Sequence, residues 1–157
     1  MLTESELYHA DIAKQYLLKV RNAKLRLDQM EERRMEQERR MQPRGTRLTG
    51  MPRNPNAYAD AIPDGMNRLQ ALDDVIDRYT VEWGELMAEA TAALLAMPSY
   101  EHQALLEAKY LDGLTWNAIP QRVMKGKTWC QEHLKPALVE LYDLMPTSEK
   151  APIEHAF

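Results

Sequence analysis

Apolar positions recur through most of this chain at spacings of three and four residues, the signature of helices with one buried side, and few stretches are left that could form strands. The pattern predicts an all-α protein. Thr3-Glu4-Ser5-Glu6 forms a capping box, in which the Thr3 hydroxyl and the Glu6 carboxylate each satisfy a free backbone donor at a helix start. Behind it Ala10, Ala13, Leu17, Val20, Lys24 and Leu27 make a seam that is apolar except at Lys24, and Leu18 and Leu25 widen it. From Glu31 to Arg40 nearly every residue is charged, with opposite signs at helical spacing. This first helix, residues 1–41, therefore ends as a solvated rod, in preference to a basic arm on phosphates.

Residues 42–65 gather Pro43, Gly45, Gly50, Pro52, Asn54, Pro55, Asn56, Pro63 and Gly65, which predicts a linker. Its Arg44, Arg47 and Arg53 fit a structural role against an acidic face of the protein better than a DNA-backbone contact. Residues 66–97 form the second long helix. Leu69, Leu72, Ile76, Tyr79, Trp83, Leu86, Ala90, Ala93 and Met97 keep an unbroken heptad seam. Such a helix is about 48 Å long, more than a small core can cover, so it must pair. Seven acids and two arginines lie between Asp64 and Met97, whereas the first helix through Met30 carries five cations and four anions. That balance favours an antiparallel coiled-coil hairpin within the chain over pairing with a second copy, with dimerisation at its end.

Residues 98–145 change character. Ser99 caps a helix reaching Leu111, and Asp112-Gly113 stops it. Thr115 caps a short helix buried through Trp116, Ile119 and Val123, and Gly126 makes the next turn. Thr128 caps a third helix whose Cys130, Leu134, Ala137, Leu138 and Leu141 face inward. This is the grammar of a helix-turn-helix, and the residues on its outer side, Arg122, Lys125, Lys127, Thr128, Trp129, Gln131, Glu132, His133 and Lys135, are the expected double-stranded DNA contacts. Between Gln121 and Pro136 four cations face one anion, in a chain of net charge −4. A carboxylate at Glu132 repels phosphate but can accept from cytosine N4. Pro120 and Pro136 each remove a helical donor, and Pro136, inside the third helix, predicts a kink or restart there. Residues 146–157 show no pattern and are expected to be a flexible tail.

The string from Tyr110 to Ile119, Tyr-Leu-Asp-Gly-Leu-Thr-Trp-Asn-Ala-Ile, resembles the helix-turn-helix of region 4 in sigma-70-type factors. Together with Leu48-Thr-Gly-Met-Pro-Arg53, it resembles the RinA/ArpU-type regulators of late transcription in phages, over residues 48–145. The resemblance implies a sequence-specific DNA-binding regulator in the cytoplasm of a bacterial host. About four cations per module imply a log–log salt slope near −4 or weaker, too little for tight binding alone. A dimer on spaced half-sites or a contact between the acidic helix and RNA polymerase would supply the rest.

Composition narrows the remaining classes. At 45% hydrophobic and 28% charged residues the chain belongs with soluble folded proteins, and no apolar run is long enough to cross a bilayer. The Met1-Leu2-Thr3-Glu4 start lacks the layout of a signal peptide. The single cysteine, Cys130, reads as a core residue. His9, His102, His133 and His155 fall in separate elements without metal-ligand spacing, and phosphate loops, dinucleotide fingerprints and nucleophile elbows are missing. No enzyme activity, cofactor or metal is expected. Two other classes share the pattern: an oligomeric DNA-packaging adaptor of the small-terminase kind, and a coiled-coil module that binds only protein.

Overall fold

A computed structural model describes residues 2–42 and 55–150, with the backbone alone for 55–62. The described residues are helical and contain no strand. α1 spans Glu4–Met41, α2 Pro55–Leu95, α3 Tyr100–Leu106 with a π-helical last turn Glu107–Leu111, α4 Ile119–Val123 and α5 Lys127–Leu144. A 3-10 turn, Thr147–Lys150, follows. The chain divides into two compact units, Ala23–Trp83, and Met1–Asn22 with Gly84–Phe157.

α1 starts at the capping box, with Thr3 N–H donating to Glu6 at 2.8 Å and Glu6 N–H to the Thr3 hydroxyl at 3.2 Å. Its buried side is Ala10, Ala13, Leu17, Val20 and Leu27, widened by Ile12, Tyr16 and Ala23. The expected widening at Leu18 and Leu25 lies on the wrong flank: Leu18 is half-buried and Leu25 exposed. At the polar position of the seam Lys24 is exposed and its neighbour Ala23 is buried instead.

α2 begins at Pro55, about three turns before the expected start, because Pro suits a first helical turn. Pro63 and Gly65, read as linker residues, lie inside it. A Cβ at Gly65 would stand 3.0 Å from the Met41 side chain, so Gly65 permits a close helix approach. Arg44, Arg47 and Arg53 lie outside the described residues.

Within Ala23–Trp83, Lys24 stands over the Trp83 ring, Arg26 reaches Glu82 and Tyr79, Arg34 pairs with Asp73 and Met41 meets Gly65. Numbers rise along α1 as they fall along α2, so the two segments run antiparallel. Seam positions Leu69, Leu72, Ile76, Tyr79 and Trp83 are half-buried. Asp73 is thus an ion-pair partner at the surface. Three of the four cations of the charged run are likewise engaged, Arg34 with Glu38 and both Arg39 and Arg40 with Glu36. At the surface these pairs contribute little each and keep the helix solvated.

In the other unit the seam continues as Leu86, Ala90, Ala93 and Met97, all buried, beside Leu94. The three short helices fall in this unit together with the start of α1. His9 stacks on Tyr142 at 4.0 Å, and the Arg21 guanidinium lies against Gly113. The region expected to be a flexible tail is partly engaged as well, since Lys19 pairs with Glu149 at 3.1 Å and Lys150 stands over Tyr142. Residues 151–157 lie outside the described set.

Tyr16 is 3% exposed and its hydroxyl finds no hydrogen-bond partner among the described residues. Burial first, then the charges of Glu89 and Glu149, push its pKa up to about 12. The folded state therefore holds this proton more tightly than the unfolded chain, whose tyrosine titrates near 10. Stability from this group is present below about pH 10 and is lost as pH rises towards 12. Tyr16→Phe relieves an unpaired polar group, so chemical denaturation at pH 7 should show a gain of about 1 kcal/mol. The wild-type decline contributed by Tyr16 between pH 10 and 12 should shrink in the variant.

Candidate nucleic-acid interface

Ser99 caps α3 by accepting from His102 N–H at 3.3 Å. At the other end the helix widens into a π-turn, with Asp112 N–H on the Glu107 carbonyl at 2.8 Å and Leu114 N–H on Ala108 at 2.9 Å. Gly113 closes it at φ +65, where a side chain would be strained and would also collide with Arg21.

The short helix starts later than expected. Thr115 does not cap it with its side chain; its carbonyl instead accepts from Ala118 and Ile119 N–H in a preceding turn. Pro120 therefore falls in the first turn of α4, where its missing donor costs nothing. Leu105, Ala108, Ile119, Val123 and Cys130 form the buried cluster of the three helices, with Leu114, Trp116, Trp129 and Leu134 packed around it. Cys130 is fully buried, and burial pushes its thiol pKa up, away from nucleophilic thiolate.

Met124 ends α4 in the left-handed region, and α5 begins at Lys127 with Gly126 as its cap. Thr128 sits in the first turn of α5 and does not cap it. The helix runs through Pro136 to Leu144 without the expected restart. The packing of Ala137, Leu138 and Leu141 on its buried side offsets a proline cost of about 3 kcal/mol.

The nine expected contact residues separate into three groups. Lys127, Thr128, Gln131, Glu132 and Lys135 are exposed, and neither lysine makes an ion pair with a described residue. Arg122 and Lys125 are tethered, to Asp112 at 2.8 Å and Glu101 at 3.0 Å. Trp129 and His133 are half-buried and stack on each other at 4.1 Å. His133 Nδ1 lies 2.9 Å from His102 Nε2, and His102 Nδ1 meets the Glu140 carboxylate. Trp129 and His133 thus belong to a side-chain stack joining α3 to α5. Sequence reading missed this stack because His102 and its partners lie 31 and 38 residues apart, too far for any local pattern. Histidines read as scattered are neighbours in space, although the described residues include no group of three or more ligating side chains able to hold a metal ion.

Charge changes with the fold too. Asp112 and Glu101, outside the window counted along the chain, stand against two of its four cations. The outward face is left with two lysines, one carboxylate, an amide and a hydroxyl at spacings of three and four. No family model, curated protein or solved structure matches the chain significantly. Among the described residues no helix is long and apolar enough to cross a membrane.

Proposed function

We propose that the chain is a sequence-specific double-stranded DNA-binding regulator of transcription without enzyme activity, in which a coiled-coil hairpin of the two long helices carries a C-terminal helix-turn-helix. The observation that carries the reading is the outer face of α5. Lys127 and Lys135 are available to phosphates, and between them Thr128, Gln131 and Glu132 offer hydroxyl, amide and carboxylate groups to base edges. α3 and α4 both pack on α5, while these five residues stay exposed. The resemblance to RinA/ArpU-type proteins adds the biological setting, late-gene activation in a phage or prophage. Two available lysines are few for tight binding, so the regulator acts as a dimer on spaced half-sites or gains a second contact with RNA polymerase. The exposed Asp74 and Asp77 of α2 suit the polymerase contact.

Selection from a random duplex pool with the full-length protein tests this reading. The expected result is a short enriched motif, single or in two copies at fixed spacing. A pool that stays random through repeated rounds at low salt would sink it.

A further inference from the structure

We infer that Met124 makes an apolar contact with duplex DNA, against the deoxyribose wall of the groove that receives α5; the inference rests on the DNA-binding reading above. Met124 is the one non-glycine residue at positive φ among the described residues, with φ 61 and ψ 38. Gly113, at the end of α3, meets the same backbone demand with glycine. Methionine at this position keeps a strain that glycine would remove. It is also the most exposed large hydrophobic residue described, at 85%. Packing within the fold therefore returns little for the strain, and the turn does not need the side chain, because Lys125 N–H already closes it on the Pro120 carbonyl at 3.2 Å.

Two unfavourable choices thus meet at one residue, and one substitution would cure both. Its place indicates what the side chain serves. It lies in the turn leading into α5, three residues before Lys127, a cation without an ion-pair partner among the described residues that favours a polyanion there. A flexible thioether there can lie along the sugar edge of a strand whose phosphate the available Lys127 meets.

The test compares Met124→Gly, Met124→Ala and the Lys127→Ala/Lys135→Ala pair with the parent protein. The probe is a labelled duplex recovered from the random pool. Met124→Gly should melt no lower than the parent, with a rise of about 2–4 °C if the strain is relieved. It should bind about five- to tenfold more weakly with an unchanged salt slope, since no ion contact is lost. Met124→Ala, which keeps the strain, should bind as weakly without the thermal gain. If both Met124 variants bind like the parent while the lysine pair is impaired, Met124 contacts something other than duplex, and the inference falls while the DNA reading stands. A lower melting temperature for Met124→Gly would overturn it too, by assigning the side chain to the fold. Recovery of no duplex at all would remove the reading on which it rests.

Discussion

Replacing Lys127 and Lys135 together with alanine should weaken duplex binding on the order of thirtyfold at low salt and flatten the log–log salt dependence by about two. Each lysine is exposed and without an ion-pair partner among the described residues, so each can displace a condensed counterion at no internal cost. Arg122 and Lys125 differ, because a phosphate must compete with Asp112 and Glu101 for them. The parent slope per module should consequently lie nearer −2 than the −4 obtained by counting every cation along the segment. Neither lysine is buried, so the circular dichroism spectrum and melting temperature should stay within error of the parent. Fluorescence anisotropy over a salt series reads both quantities. An unchanged slope in the double variant would move the phosphate contacts off α5.

The features legible in the sequence are those decided by near neighbours. The capping box at Thr3 and Glu6, the Ser99 cap and the stop at Gly113 each depend on a few adjacent residues, and each is seen. The heptad seam from Leu69 to Met97 is legible for the same reason. What escaped was set by distant residues. Gly65 looked like a chain breaker because nothing nearby indicates Met41. At the candidate interface, position along α5 identified Lys127, Thr128, Gln131, Glu132 and Lys135 as outward. It could not foresee that His102 of α3 would meet both His133 and Glu140 on one flank of the helix. Pro120 misled in the opposite direction: the same ring that breaks a helix interior is harmless once the helix begins one residue before it.

Residues 98–145 expressed alone should fail to fold, giving a weakly helical spectrum without a cooperative melt and no duplex binding. The pattern marks this stretch as a domain, yet its interior divides in two. Leu105, Ala108, Ile119, Val123 and Cys130 meet one another, a cluster of small and medium side chains. Leu138, Leu141 and Met145 are equally buried but lie outside that cluster, in the compact unit that also holds Ala13, Leu17, Val20 and Leu94. Cutting at residue 98 exposes this second set and removes the His9 and Arg21 contacts with Tyr142 and Gly113. Burying a leucine stabilises by about 1.5–3 kcal/mol, so exposing Leu138 and Leu141 alone forfeits several kcal/mol. A fragment this short has little to spare, since single cores below roughly 70–80 residues rarely supply more than 3–5 kcal/mol. The single substitution Leu17→Ala in the full chain should act in the same direction, lowering stability by about 2–5 kcal/mol and reducing duplex binding only through the unfolded fraction. A fragment 98–145 that melts cooperatively would show that the start of α1 is an accessory to the three short helices, and the long helices would then be a handle for partners alone.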